Sequence, residues 1–543
     1  MKKLFIVIMF LSVNAAFAQG GTFGPLTWNI HNNILTISGE GAMPNYEEPG
    51  HMPWRQYQFR DVIIETGVTS ISDYAFWSHR YLLSVTLSNT VKSIGKFAFY
   101  MCPHLYSITL GEGLTSIGEM AFYRCSLLLS ITLPNSVTSI GEGAFRDCFD
   151  LRGSIVIPDG VTRIEVGTFS GCENLWSVTI GNGVESIGVA AFSGCRSLTS
   201  ITFGEKVSSI ESYAFAACLS LSEISLPYSI TSIGSDAFRG CSRLDEIVLP
   251  YGITSIEEST FSHCYGLRSV EIPNNVSKID NNAFSSCYTL SSFTFPKSIT
   301  TLGREIFTFC NNLTSITNLN PNPIEIEYYV FEEDLYRNCT LIVPTNAVAA
   351  YQEAEVWKEF NIVGGGWLVS SISNHIEQGY TKGDSLYQHN ETATVTAFAR
   401  ANYKFVNWTL NGEIVSTENP YSFTVTEDTE WVANFVPNIG IEEATTLPDI
   451  RVYPNPTTGK LTIEFTSGQA DEWTSGQVNE IEIYDIQGRR MEIPHCVRND
   501  VIPSVVQRNE ESRTINISHL PAGIYFVKIA TTAGEVVKKV VKE

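Results

Sequence analysis

Positive charge is in short supply: 35 lysines and arginines face 57 aspartates and glutamates, a formal net charge of −22 at pH 7. A chain of that sign is repelled by phosphate backbones, which argues against nucleic acid as a partner. The plain reading of the acidity is solubility of an exported protein. Charged residues of both signs make up only 17% and hydrophobic ones 43%, the balance of a folded chain rather than a disordered one. Long apolar runs are also missing. The one candidate, Leu4 to Val13, is too short to span a bilayer, so no transmembrane segment is expected. Nine histidines are scattered, none of them in H-E-x-x-H or a metal-binding pair. Neither a G-x-S-x-G elbow, a Walker loop nor a D-x-D-x-D-G calcium loop is present. The chain is therefore read as not an enzyme, with no catalytic residue, metal or cofactor.

What is present begins with MKKLFIVIMFLSVNAAFAQ, two lysines, an apolar run and small residues. That pattern is a secretory signal peptide over residues 1–18, cleaved between Ala18 and Gln19. Removing its two lysines takes the net charge from −22 to −24. No cysteine sits at the cleavage site, which argues against a lipoprotein anchor.

Phenylalanine then recurs from Phe76, Phe99 and Phe122 to Phe307, every 23 residues except for one step of 24 where Gly153 lengthens a repeat. Three residues after each Phe stands a cysteine, from Cys102 to Cys310, with His79 in that place in the first unit. Each unit reads roughly L-x-x-I-x-L-P-x-x-V-x-S-I-G-x-x-A-F-x-x-C. The first part alternates as a short strand with one buried face. Prolines such as Pro134 and Pro227 end it. The I-G pair is expected to turn the chain through glycine's wider backbone range, and A-F-x-x-C to form one helical turn. No unit can enclose its apolar residues alone, so successive units must stack as coils around one core. Eleven or twelve coils at about 4.8 Å each predict a solenoid on the order of 55 Å long. The cysteines form one column of that core and are read as reduced packing thiols. Bridges between some coils are the alternative, disfavoured because parallel Cβ vectors fit a disulfide poorly; a metal would need converging ligands.

The segments V-T-S-I-G-x-x-A-F-x-x-C and L-x-x-I-x-L-P resemble the BspA-like (Treponema-type) leucine-rich repeats of bacterial surface proteins. The resemblance implies an N-terminal cap over 19–60, carrying LTWNIHNNILTISGEGAMPNY and Pro53-Trp54. It also implies a solenoid over 61–363 that closes on the terminal coil and helix of CTLIVPTNAVAAYQEAEVWKEFNIV. Caps are required physically, because an open solenoid end exposes core and strand edges.

Outward strand positions carry a serine column (Ser84, Ser107, Ser130) and a threonine column (Thr86, Thr109, Thr132). Two groups interrupt them. Glu223, Asp245, Glu246 and Glu271 come from three consecutive coils, with Arg268 among them. Aromatics form the second group, Tyr106 and Trp176 in the strand row and Trp77, Tyr100 and Tyr123 just after the repeat Phe. These ten residues are the candidate ligand surface, weighed against an ordinary solvated face.

After Gly364–Gly366 the pattern changes. Residues 367–436 alternate as strands around the Asn411-Gly412 hairpin turn. Their G-Y-x-x-G-D and A-x-A-x-x-x-Y-x-F-x-x-W segments resemble divergent internalin-type B repeats, small β-rich extracellular modules. A linker, 437–450, precedes a third β pattern over 451–543. Pro454-Asn455-Pro456, Gly488-Arg489, and Leu520 through Gly523 to Tyr525 there resemble the type A C-terminal sorting domain of the type IX secretion system of Bacteroidetes. That resemblance implies passage across the outer membrane with the type IX machinery as partner, and removal of the domain at the surface or on release. Met491 to Arg513, holding Cys496, is longer than the family's loop.

The expected architecture is mainly β: a leucine-rich repeat solenoid of parallel strands and short helical turns, followed by two small β-rich domains. The expected function is a secreted, surface-displayed, non-catalytic binding protein, adhesin-like, engaging a host or bacterial surface protein or glycan. The alternatives are a structural scaffold component without a dedicated ligand and, behind it, a surface degradative enzyme.

Overall fold

A computed structural model describes residues 19–45 and 48–438, and beyond them the strand segments 449–453, 460–466, 478–485, 490–491, 512–516, 523–531 and 534–542. The chain divides into two compact units at Gly366/Trp367.

The first unit is a parallel solenoid of about 14 turns. It exceeds the eleven or twelve read from the repeat because the flanking segments add coils that do not carry the Phe-Cys signature. Strands Gln19–Phe23, Leu26–His31 and Ile34–Gly39 form an antiparallel meander, and the last pairs in parallel with Asp61–Ile64. From there the register advances one unit per step: Asp61 faces Ser84, Ser84 faces Ser107, and Ser107 bridges Ser130. Inward residues of this row, such as Val85, Ile155 and Val178, are buried, while Thr86 and Thr109 are exposed. A second row is built from the S-I pairs, Ser93–Ile94 on Ser116–Ile117 on Ser139–Ile140.

Between the rows run the repeat phenylalanines, fully buried, as one parallel stack. Ring centroids are 5.1 Å apart from Phe76 to Phe99 and from Phe99 to Phe122, opening to 5.7 Å between Phe215 and Phe238. Trp54 closes the N-terminal end, its ring 5.8 Å from Phe76 and its indole N–H donating to the Ala75 carbonyl at 2.9 Å. At the other end Phe331 stacks on Phe307, and the indole of Trp357 donates to the Ile324 carbonyl. The short helices Glu333–Asn338 and Val348–Glu353 belong to this closing region.

Two local expectations are corrected. Residues around each Phe form consecutive turns, not a helical turn. Tyr123 N donates three residues back to the Met120 carbonyl, but Phe122 N and Arg124 N donate forward to Ala144 and Arg146 of the next coil. This alternation requires left-handed residues on either side of the Phe, as at Met120 (φ 49°) and Arg124 (φ 55°), and they break any helical run. The I-G glycines, in turn, keep ordinary φ. What they supply is space, since a Cβ on Gly118 would lie 2.6 Å from the Gly95 carbonyl carbon of the preceding coil.

The turns also explain the cysteine column. The eleven described cysteines are buried free thiols. Each of the ten repeat thiols donates to the Phe carbonyl of the preceding coil, from Cys102 to Phe76 at 3.1 Å to Cys310 to Phe284 at 3.1 Å. The same carbonyl accepts the amide N–H of its own coil, as Cys125 N does on Phe122 at 3.1 Å while Cys148 Sγ reaches it at 3.2 Å. A cysteine therefore fills an apolar site and supplies one weak donor. Burial pushes the Cys102, Cys195 and Cys241 thiols up to about 12, which suppresses the reactive thiolate. Native protein is accordingly expected to leave the repeat thiols unlabelled by a thiol reagent at pH 8, and urea without reductant to release all ten. Fewer titratable thiols after unfolding than the chain's 12 cysteines would show that some are bridged.

In the second unit, a five-stranded sheet runs in the order Ser385–Tyr387, Trp367–Ser373, Thr429–Pro437, Tyr403–Leu410, Glu413–Ser416, and Gly379–Lys382, Thr392–Ala399 and Tyr421–Thr424 form a second group. Val369, Val395, Trp408, Trp431 and Phe435 make their core. Asn411 and Gly412, both at positive φ, turn the hairpin between Tyr403–Leu410 and Glu413–Ser416. Further on, Val478–Asp485, Gly523–Thr531 and Gly534–Lys542 pair antiparallel, with Tyr525 buried. Ala18, Pro454, Asn455, Pro456, Gly488, Arg489, Leu520 and Cys496 lie outside the described residues; Gln19 and Gly523 each begin a strand.

Candidate ligand-binding site

The strand row is not continuous: it breaks between Ser107–Thr109 and Gly153–Ile157, between Ser200–Thr202 and Glu246–Val248, and between Ser269–Glu271 and Ser292–Phe295. Strand Ser200–Thr202 pairs only with Leu175–Ile180 before it, and Glu246–Val248 only with Ser269–Glu271 after it. The coil between them, Ser222–Pro227, carries the repeat residues Leu221, Ile224, Leu226 and Pro227 yet forms no strand. Beside this opening Ile201, Phe203, Ile224 and Leu226 are only half-buried, whereas their counterparts in earlier coils are buried; in the next coil Ile247 and Leu249 are buried again, and Val270 and Ile272 beyond them are half-buried. Nothing in the local sequence marks the opening, because the repeat residues are intact.

Four of the candidate acids surround it. Glu223 lies in the unpaired coil, and Glu246 and Glu271 sit on neighbouring strands, where Val248 faces Glu271. Arg268 is the cation of the group and pairs with Asp245 at 3.1 Å. Both partners are exposed, so their attraction is screened and of small energetic weight. Val248, half exposed, adds an apolar contact. Among the described residues no group of three or more His, Cys, Asp or Glu could hold a metal ion.

The aromatic candidates fall in two separate places. Tyr106 and Trp176 occupy one column at the entry to the strand row, three coils apart, and about half of each side chain is exposed. Leu129, also exposed, and Arg152 fill the same column between them. Trp77, Tyr100 and Tyr123, by contrast, are brought together in the turn region. Their rings form a half-buried ladder with centroids 6.5 and 4.8 Å apart and interplanar angles of 10° and 17°. Arg55, from the N-terminal cap, lies 5.6 Å from the Trp77 ring centre, and Arg124 lies 5.3 Å from that of Tyr123.

Three features escaped the sequence reading. The ladder's arginine caps come from outside the repeat column, so spacing could not show them. A second aromatic pair, Tyr74 on Phe97 at 5.2 Å, runs beside the ladder and was legible as aromatics 23 residues apart. Arg163, standing where other coils have serine, bonds Glu211 with two contacts of 2.8 and 3.0 Å, Glu165 at 3.2 Å and Ser186 at 2.9 Å, which ties three coils together along the second row.

Comparison with known proteins agrees with this architecture. Residues 372–439 match the divergent InlB B-repeat domain, and residues 451–543 the secretion system C-terminal sorting domain. The chain thus carries a type IX sorting tail, which directs proteins to the cell surface or extracellular space. No helix among the described residues is long and apolar enough to cross a membrane. Similar solved structures include a leucine-rich repeat protein from Bacteroides ovatus (22% identity, 63% of this chain and 98% of that one, TM-score 0.44). A leucine-rich cell surface protein from Faecalibacterium prausnitzii has 26% identity, covering 64% and 95% at TM-score 0.33. The pneumococcal vaccine antigen PcpA has 16%, covering 64% and 98% at TM-score 0.35. No curated protein matches the chain. Residues 54–176, 162–291 and 231–349 match the BspA type leucine rich repeat region, together more than half of the chain's 543 residues; the chain belongs to the BspA-type leucine-rich repeat proteins.

Proposed function

We propose that the chain is a non-catalytic, adhesin-like binding protein. Its signal peptide, over residues 1–18, starts export, and its solenoid engages a protein or glycan of a host or of neighbouring bacteria. The observation that supports this most is the opening of the strand row beside Glu223, Glu246 and Glu271. There a uniform Ser/Thr face gives way to carboxylates and partly exposed core residues on a rigid stacked frame. Solenoids offer broad surfaces of this kind for macromolecular partners. The Ser and Thr columns elsewhere, interrupted at Val156, favour a second reading, a structural surface component with no dedicated ligand.

Surface-captured protein, presented with extracellular-matrix proteins and with whole neighbouring cells, is expected to bind dose-dependently. The triple charge reversal Glu223→Lys, Asp245→Lys, Glu246→Lys is expected to weaken that binding at least tenfold. These side chains are exposed, so thermal stability should barely change. Binding that persists unchanged in the variant would remove the acidic surface from the ligand site. Absence of binding to every partner would leave the scaffold reading.

A further inference from the structure

The two strand rows do not break independently. Among the described residues the second row is interrupted at two places only, between Ser139–Ile140 and Arg163–Ile164 and between Ser232–Ile233 and Ser255–Ile256. Both lie in coils where the strand row is open as well. Where the strand row opens a third time, before Ser292–Phe295, the second row runs on, Lys278–Ile279 pairing with Thr301–Leu302. Two interfaces between coils have therefore lost both rows. In the strand row one backbone bond among the described residues spans each, Arg152 N to the Leu129 carbonyl at 3.0 Å and Asp245 N to that of Ser222 at 3.1 Å. The turn side stays closed. Phe145 N donates to the Thr168 carbonyl at 2.8 Å and Phe238 N to that of Thr260 at 3.0 Å. The rings of Phe145 and Phe169, and of Phe238 and Phe261, remain stacked at 5.3 and 5.7 Å.

Both interfaces carry the same local change in sequence. In the coil that follows each, Glu165 or Glu257 stands for the glycine of the I-G pair, and Thr168 or Thr260 for the alanine before the repeat Phe. At that glycine position a coil packs hard against the one before it. A Cβ on Gly141 or Gly234 would lie 2.5 or 2.6 Å from a backbone nitrogen of the preceding coil. A side chain alone does not open the row. Glu211 N and Asp280 N still donate to Ile187 at 2.9 Å and to Ile256 at 2.8 Å, and alanine follows in both coils, as Ala214 and Ala283. Nor does bulk at the alanine position, since Gly303 N reaches Ile279 at 2.7 Å in the coil that carries Ile306. The Glu–Thr pair coincides with the open row: Glu165 N and Glu257 N make no such bond among the described residues. Thr168 and Thr260 are buried, and each hydroxyl donates to the carbonyl of its own Glu at 2.8 Å. The inserted Gly153 is not the cause, because it stands beside the first interface and the second has a plain 23-residue repeat.

We propose that these two interfaces are joints. They divide the solenoid into three stiff blocks, the coils up to Cys148, those from Arg152 to Cys241 and those from Asp245 onward, which pivot about the unbroken turn column. A solenoid's stability is a sum of coil and nearest-neighbour terms, so the interfaces that lack both strand rows are where it opens most readily. The thiols of Cys172 and Cys264, each donating across a joint to the preceding Phe carbonyl at 3.2 Å, belong to the side that holds. Glu223 and Glu246 stand on opposite sides of the second joint, so the spacing of the candidate acidic surface follows its angle. The joints themselves do not depend on whether that surface binds a ligand.

The test uses the full-length chain with Cys496→Ser and spin labels on Thr69→Cys and Thr300→Cys, two exposed positions in one column of the second row. The repeat thiols are buried and escape labelling. Ten coils separate the labels, roughly 48 Å at ~4.8 Å per coil, and both joints lie between them. Double electron–electron resonance is expected to give a broad distance distribution. Glu165→Gly with Thr168→Ala, together with Glu257→Gly and Thr260→Ala, should narrow it at least twofold, and either pair alone should narrow it in part. The converse pair, Gly188→Glu with Ala191→Thr inside the middle block, should broaden it. Amide exchange in the unsubstituted chain gives a second measurement that needs no variant to fold. Phe145 N and Phe238 N, bonded across the joints, are expected to exchange at least tenfold faster than Phe169 N and Phe192 N, bonded within a block at 2.8 Å. A distribution as broad in the folded four-residue variant as in the native chain overturns the proposal. So does equal exchange of the two sets of amides.

Discussion

Replacing Phe192 by alanine is expected to destabilise the solenoid by about 3–5 kcal/mol. The ring is fully buried and lies 5.4 Å from Phe169 and 5.5 Å from Phe215, nearly parallel to both. The vacated space cannot close easily. The coil backbones on either side are held at ladder distance by Phe169 N to Ala191 and Phe192 N to Ala214, both at 2.8 Å. Because a solenoid's stability is a sum of coil and nearest-neighbour terms, the loss falls on the two interfaces this ring makes. The variant should then unfold in two less cooperative parts. Amide exchange is expected to accelerate in the coils around residues 169–215 and to remain slow around Phe76 and Phe99. Phe192→Leu, which keeps most of the volume, should cost less than about 1.5 kcal/mol. A loss below about 1 kcal/mol for the alanine variant, measured by urea unfolding, would show that the stack is not the principal core of the middle coils.

The stack was legible because a 23-residue period repeats one physical problem many times, and Phe76 through Phe307 answer it alike. Local geometry was less legible, for reasons that differ from place to place. A-F-x-x-C fits a helical turn by its own i, i+3 spacing. What decides against the helix is the amide of Phe122 reaching Ala144 in the next coil, a contact 22 residues away. A signal was nonetheless present in Gly171, Gly194 and Gly240, each directly before a cysteine and each at φ near 75°. The cysteine's small size and apolar character followed from its column, but its donor role depended on where the preceding coil's carbonyl points. At the candidate surfaces, the 23-residue spacing of Trp77 and Tyr100 announced a ladder. The opening at Ser222–Pro227 was invisible, because the apolar residues that would build a strand there are all present.

Acidification is expected to weaken the first coil through His79, the residue that stands where later coils have cysteine. Its side chain is 4% exposed, stacked 4.0 Å from the Phe59 ring, and its Nδ1 has no hydrogen-bond partner among the described residues. Burial is the main cause that holds its pKa down at about 4, against the ordinary 6.5. The nearby Arg55 guanidinium lowers it further, while backbone hydrogen bonding with Tyr57 opposes both. The imidazole is therefore neutral in the fold but takes a proton readily when unfolded. For a group whose folded pKa lies below its unfolded one, the unfolded state binds more protons through the window between them. The stability is fully present above pH 6.5 and is lost as pH falls from there toward about 4. The span corresponds to about 3 kcal/mol. His79→Cys puts the column's own residue in place and removes this titration. Carboxylates elsewhere titrate in both proteins, so the difference between them isolates the histidine. Urea unfolding from pH 7.5 down to pH 4 is expected to show the native chain losing about 3 kcal/mol relative to His79→Cys, mostly below pH 6. The loss should fall on the coils nearest Trp54 and Phe76, whose packing the protonated ring would disturb. Parallel pH profiles for the two proteins would mean that water or a rotated ring accommodates the charge, and that the first coil is looser than the buried histidine implies.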